Sequence, residues 1–294
     1  MNHSGRARNI TSQERETWIA CPLVEGDKAF ADWCESEAAF AGNIPDEDLF
    51  IYEQDGRYPG KLAFVHADAD CLVFLAPAIG KSVPIRQVMA GLFARALDEG
   101  RARRVKRVMG VIDSMNTHHA LMGQCLEALG FALRWDKYVY TRDLDGLIAG
   151  GNGPAMDYKG FEELGDDDMA RAMALHHREW RDITAFRAFW RREGRYWQAA
   201  CLTGRFAGFC LLNVHGREAT LDHIAVCEDL RGRGLGPAML IHTLDRARRL
   251  GAEVYIGSTE RENRAMNRVF AKTGCRLLGE RREYVYDMEP KGGA

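Results

Sequence analysis

The sequence predicts an α/β protein made of two tandem domains, each a mixed sheet covered by helices. Three observations carry that prediction. The chain has 294 residues, about twice the length of an ordinary domain. The stretch Gly146-Leu147-Ile148-Ala149-Gly150-Gly151-Asn152-Gly153-Pro154, with four glycines and a proline, divides it almost at its midpoint. The second half also slides over the first: at an offset of 147, Leu97-Asp98 falls on Leu244-Asp245, Arg101 on Arg248 and Gly110 on Gly257, with no gap. The domains are therefore expected at 1–145 and 155–294, with 146–154 as the linker.

Taken in order, the apolar runs Leu49 to Glu53, Gly60 to His66 and Cys71 to Leu75 read as strands. A long amphipathic helix follows at about Arg86 to Glu99, then an apolar strand from Val105 to Ile112. A shorter helix ends at Gly130, where a left-handed cap belongs, and a last strand carries Tyr138-Val139-Tyr140. The second half repeats this order. Strands are expected at Trp197 to Leu202, Phe206 to Asn213 and Ala219 to Val226, then a helix over Gly236 to Leu250 and a strand over Ala252 to Gly257. A short helix ends at Gly274, and the last strand carries Tyr284-Val285-Tyr286. Shifts of one to three residues bring Met122, Gly130 and the first tyrosine triplet onto Met266, Gly274 and the second. Hairpins at the front and alternating strands and helices behind them imply a mixed sheet in each half.

Composition excludes several classes. Hydrophobic residues make up 46% and aromatics 10%, as in a globular protein. Forty Lys+Arg against 42 Asp+Glu leave a formal charge of −2, which argues against nucleic-acid binding through bulk electrostatics. The basic run Arg101 to Arg107 falls at a helix end, where cations are at home. The longest apolar stretch, Cys71 to Ile79, is about half a membrane span, and Met1 to Asn9 lacks the apolar core of a signal peptide. These features predict a cytoplasmic protein with no membrane or nucleic-acid partner, a monomer or homodimer. The eight cysteines contain no Cys-x-x-Cys pair and sit mostly in apolar runs, as small buried hydrophobes do. The pairs His118-His119 and His176-His177 would point about 100° apart on a helix, so no metal site is expected.

The chemistry concentrates in Leu221-Asp222-His223-Ile224-Ala225-Val226-Cys227-Glu228-Asp229-Leu230-Arg231-Gly232-Arg233-Gly234-Leu235-Gly236-Pro237. An apolar strand runs into a turn and then into a helix with proline in its first turn. Three glycines let the backbone come close to an anion, and the free N–H groups of the helix start point at it. Arg231 and Arg233 add countercharge, and a diphosphate is the natural occupant. The spacing is Arg-x-x-Gly-x-Gly, distinct from dinucleotide and P-loop patterns.

This pattern resembles the coenzyme-A pyrophosphate loop of the GNAT superfamily of N-acetyltransferases. The resemblance extends through Asn263-x-x-x-x-x-x-Phe270-x-x-x-Gly274 and spans roughly 156–290. It implies two GNAT-like acyl-CoA N-acyltransferase domains, the second binding acetyl-CoA. Ile224, Ala225 and Val226 would hold the pantetheine arm, Arg231, Gly232, Arg233, Gly234, Leu235 and Gly236 the pyrophosphate, and Asn263 the pantetheine again. Backbone N–H groups near Ile224 and Ala225 would stabilise the oxyanion. By period-two alternation Glu218, Thr220 and Asp222 share one strand face. Glu218 is the favoured catalytic base, acting through water, with Asp222 or His223 as alternatives. Where the family usually carries a tyrosine as general acid the chain has Phe270, leaving Ser258, Tyr284 and Tyr286 as unranked donors.

In the first half Pro84-Ile85-Arg86-Gln87-Val88-Met89 lies over the loop and contains no glycine, so this copy is expected to be degenerate, although Gly80-Lys81-Ser82 could form an anion nest. The architecture resembles tandem acetyltransferases such as mycothiol synthase. The stretch Trp180 to Arg191 has aromatics at helical spacing and is expected to serve the core or the acceptor site. The expected reaction is acetyl transfer to a primary amine of a small metabolite or antibiotic-like molecule. Two alternatives stand beside it: acetylation of a protein N-terminus or lysine, and a non-catalytic CoA-binding scaffold.

Overall fold

In the computed structural model the described residues are 5–21, 41–42, 44–80, 84–114, 118–147, 154–176, 181–190 and 195–288. The chain forms two compact units. The first comprises Met1–Asp136 with Gly279–Ala294, and the second Lys137–Leu278.

The first unit contains β1 (Arg6–Asn9), α1 (Arg15–Ala20), β2 (Leu49–Gln54), β3 (Arg57–Asp68), β4 (Cys71–Ile79), α2 (Ile85–Ala102), β5 (Arg107–Asp113) and α3 (His119–Ala128). Its sheet runs β1-β2-β3-β4-β5 and closes with β12 (Arg276–Asp287), whose residues Arg281–Asp287 pair with Asp113–Arg107. The second unit contains β6 (Ala132–Asp143), β7 (Asp157–Gly160), α4 (Asp166–Leu175), α5 (Ile183–Trp190), β8 (Arg195–Leu202), β9 (Arg205–His215), β10 (Glu218–Val226), α6 (Leu235–Arg249), β11 (Val254–Glu260) and α7 (Arg264–Lys272). Its sheet has the same order, β7-β8-β9-β10-β11, and closes with β6.

The last strand of each repeat therefore completes the sheet of the other. This moves the boundary away from the one expected at 145/155. Leu144 and Leu147 are buried in the second unit's core, because Lys137–Asp143 pair with Glu260–Val254. Of the linker, 148–153 lie outside the described residues. The exchange also corrects the match of the tyrosine triplets. Tyr140 lies opposite Gly257 and Tyr284 opposite Gly110, so Tyr140 corresponds to Tyr284 and not to Tyr286. The two strands share one burial pattern along their length at an offset of 144.

The offset of 147 reappears as geometry. In the first unit the parallel ladder joins Cys71–Phe74 to Arg107–Gly110, and in the second it joins Glu218–Thr220 to Val254–Ile256, residue for residue 147 apart. The helices after the loops begin and end within three residues of their expected bounds.

Each unit packs its own core. In the first, the Phe74 ring stacks on Phe93 at 5.1 Å and meets Phe131 edge-on at 6.0 Å. Gly110 has no side chain because the Phe74 ring occupies the place where a Cβ would stand. In the second, Leu240 and Leu244 of α6 and Phe270 of α7 pack with Ala219 and Tyr255 on one face of the sheet. The other face carries Phe161, Phe186, Trp197, Phe209 and Leu211 under α4 and α5. Seven cysteines in the described residues are free, and burial pushes the Cys210 thiol up to about 12, so it packs as an uncharged group. Cys34 lies outside the described residues.

The N-terminal strand is tied by charge. Arg8 bonds Glu14 and Glu53, each at 2.6 Å. The hydrogen bond from Arg8, helped by the Thr11 backbone, holds the Glu14 carboxyl down at about 2 against an ordinary value of 4.5. Folding thus favours the ionised form, and that contribution is complete above about 4.5 and lost as pH falls towards about 2. Thermal melting of wild type is expected to decline across that window, and Glu14→Gln to flatten this part of the profile.

Candidate functional site

The second unit's parallel ladder ends at Thr220 and Ile256, after which β10 and β11 separate. On its other edge β10 stays bonded to β9 up to Val226, with an irregularity between Leu221 and His223 that leaves Asp222 as the extra residue of a bulge. A slot therefore opens along Leu221–Val226, bordered by backbone. A chain that carries amide groups can fill such an edge as an added strand.

The strand leads straight into the glycine-rich turn. A short 3₁₀ turn, Glu228–Leu230, precedes Arg231, and α6 starts at Leu235. Gly232 and Gly234 both have left-handed backbone, φ 79° and 81°, and a Cβ at Gly232 would meet nothing within 4 Å. Their role is conformational. Gly236 differs: a Cβ there would stand 3.1 Å from Val269, so its absence lets α6 close on α7. The N-cap Gly234 offers no side-chain bond, which leaves the first N–H groups of α6 free for an outside acceptor. Leu235 is buried, so only its backbone can serve a ligand. Arg231 Nε donates to the Val226 carbonyl at 3.2 Å, and Arg233 donates to the Asp229 carbonyl at 3.3 Å. Both guanidinium groups stay exposed beside the loop. Gly234→Ala is expected to strain the turn by about 1–2 kcal/mol, read as a lower melting temperature.

Gly208 sets the slot's outer wall. It lies opposite Val226, and a Cβ on it would collide with the Ala225 carbonyl oxygen. Gly208→Ala is expected to push Ala225 and Val226 off their ladder and to weaken any ligand held along them, measured by titration.

The remaining sequence candidates are distributed as follows. Glu218 opens β10 opposite His215, exposed, on the same face as Thr220. Asp222 is exposed at the bulge, nearer the slot. His223 stacks at 5.0 Å on both Phe209 and His176, within the aromatic cluster under α4 and α5. Asn263 caps α7, its Oδ1 accepting from the Met266 N–H at 3.1 Å. Ser258 is exposed on β11. Tyr284 and Tyr286 belong to the first unit's core because β12 pairs with β5, so neither stands in this unit.

Sequence reasoning missed three groups. Tyr140, brought in by the exchanged strand, stacks on Phe270 at 4.4 Å and donates to Asn267 Oδ1 at 2.9 Å. Burial pushes its phenol above the ordinary range. The Tyr255 hydroxyl is buried without a hydrogen bond, over Gly257, and its phenol is raised for the same reason. His176 joins the aromatic cluster at 6.0 Å from Trp197. Spacing gave no signal for any of them, since each meets its neighbours through long-range pairing. Of the aromatic stretch, Phe186 is core, while 177–180 and 191–194 lie outside the described residues. Among the described residues no cluster of His, Cys, Asp and Glu could hold a metal ion, and no helix is long and apolar enough to cross a membrane.

The first unit has the same ladder and a different edge. With Phe74 on Leu221 and Ile79 on Val226, both opposite equivalent positions of the neighbouring strand, Pro77 stands where the second unit has Ile224. Proline has no N–H to offer. Lys81 and Ser82 of the possible anion nest lie outside the described residues.

Residues 161–275 match the family model described as "Acetyltransferase (GNAT) family". No curated protein matches the chain. Among solved structures, a GCN5-related N-acetyltransferase from Sphaerobacter thermophilus is similar over 99% of this chain and 98% of its own, at TM-score 0.69 and 17% identity. A tandem GNAT protein from the clavulanic acid biosynthesis pathway is similar over 98% and 99%, at TM-score 0.60 and 16% identity. An acetyltransferase of the GNAT family from Colwellia psychrerythraea covers 96% and 99%, at TM-score 0.56 and 15% identity.

Proposed function

We propose that the chain, whose residues 161–275 match the acetyltransferase (GNAT) family model, transfers an acetyl group from acetyl-CoA to a primary amine of a small molecule. The observation that carries this reading is the slot where β10 leaves β11, running directly into the free N–H groups at the head of α6. The pantetheine arm would lie along Ile224, Ala225 and Val226. Its pyrophosphate would rest on Arg231, Gly232, Arg233, Gly234, Leu235 and Gly236, and Asn263 would meet the arm with the amide end that capping leaves unused.

The amine nitrogen attacks the thioester carbonyl, a C–N bond forms, and the C–S bond breaks. Backbone N–H groups at Ile224 and Ala225 would receive the oxyanion. Glu218 would take the ammonium proton through water, since it begins three residues before the slot, roughly 10 Å away along the strand. Asp222, at the bulge, is the second carboxylate. Phe270 cannot donate a proton, yet a thiol with pKa near about 8.5 departs as thiolate without one. We assign cofactor binding to the second unit alone, because the corresponding edge of the first carries Pro77 and its ladder ends under the Phe74 ring.

The tandem neighbour's place in a small-molecule pathway supports the choice of acceptor class. The test is thiol release from acetyl-CoA with a panel of small amines and of free-amino peptides. Release with small amines is expected, and release with peptides alone would assign the chain to protein acetylation. Binding without any release would make it a CoA-holding scaffold.

A further inference from the structure

The face of the second unit's sheet opposite α6 and α7 carries a buried amide whose oxygen accepts no hydrogen bond. Asn213 is 7% exposed, and its Oδ1 is buried without a hydrogen-bond partner. The residue follows Phe209 and Leu211 at period two on β9, so it continues their face beyond the aromatic cluster. An amide in that row is anomalous for packing. A buried carbonyl oxygen deprived of a donor costs stability, and such a group calls for a specific explanation.

The register supplies one. Asn213 lies directly opposite Thr220, while Glu218 lies opposite His215, which makes Glu218 the diagonal neighbour of Asn213 on the same face. Diagonal partners stand about 7–8 Å apart. An amide oxygen and a carboxylate at that spacing leave room between them for a nitrogen on the amide and one water on the carboxylate. The opposite face cannot admit such a group, because Leu240, Leu244, Phe270 and Tyr255 fill it.

We propose that Asn213 receives the acceptor's ammonium group, its Oδ1 taking one N–H directly while Glu218 takes another through water. This rests on the reading of the chain as an amine acetyltransferase and supplies the reason its acceptor must carry at least two N–H groups when protonated. A primary ammonium satisfies both partners and keeps a hydrogen to spare. A tertiary ammonium has one hydrogen and a quaternary one none, so neither can serve both. Asn213 is here a binding residue that sets acceptor class, with no part in the bond changes.

The test uses the full chain and ethylammonium chloride as probe. Titration is expected to shift the Asn213 side-chain amide resonance saturably, while tetramethylammonium leaves it unmoved. Asn213→Leu is expected to melt at or above the wild-type temperature, because it removes a buried oxygen that accepts no hydrogen bond. With any amine that wild type acetylates, the same variant is expected to raise the acceptor KM tenfold or more and leave the acetyl-CoA KM unchanged. No shift with ethylammonium, an equal shift with tetramethylammonium, or a clearly lower melting temperature for Asn213→Leu would overturn the assignment. A selective shift in a protein that releases no thiol with any amine upholds the ammonium site and defeats the acetyl-transfer reading instead.

Discussion

Glu218→Gln is expected to lower turnover in amine acetylation by about 10²- to 10⁴-fold, the usual worth of a positioned general base. The substitution keeps the shape and the hydrogen-bonding reach of the side chain and removes only its ability to hold a proton. Glu218 is exposed at the start of β10, outside both core clusters of the strand, so the fold should not register the change. Melting temperature and acetyl-CoA affinity are expected to match wild type. Asp222→Asn is the companion variant, since Asp222 sits at the bulge beside the slot. If Glu218→Gln retains full turnover and Asp222→Asn loses it, the base is the bulge carboxylate, and proton removal is direct at the slot and not relayed from the strand's start.

The second large effect concerns the loop. Gly234 holds φ 81° as the N-cap of α6. A β-branched residue there must either adopt a left-handed backbone or abandon the turn. Gly234→Val is therefore expected to remove the array of N–H groups that faces the cofactor's diphosphate and to abolish measurable acetyl-CoA binding. The corresponding segment of the first unit is expected to tolerate change. Ile85 opens α2 after Pro84, and the segment Pro84 to Met89 contains no glycine. Ile85→Val, a small apolar exchange there, is expected to leave acetyl-CoA affinity unaltered. A loss of affinity with Ile85→Val equal to that with Gly234→Val would show that the first unit holds cofactor too.

What the sequence made legible follows from where information is local. The loop from Arg231 to Gly236 is read from neighbouring residues, and both left-handed glycines stand where the pattern required flexible backbone. The repeat offset was legible because the two parallel ladders conserve their registers, Cys71 on Arg107 and Glu218 on Val254. The exchange of last strands was not legible. β6 and β12 have the same alternation and burial pattern, so nothing local says which sheet each joins. That single non-local choice carried Tyr284 and Tyr286 into the first core and brought Tyr140 against Phe270. Pro77 was visible in the sequence, but its meaning depends on standing at the position of Ile224, which the ladders fix. Asn213 was likewise read as the end of an apolar strand, and its unpartnered oxygen appears only once its neighbours are in place.

The central claim is that one slot, in the second unit, holds acetyl-CoA. Calorimetric titration of the full chain tests it most directly. One acetyl-CoA per chain is expected for wild type and none for Gly234→Val. Two per chain, or one that survives Gly234→Val, would contradict the account.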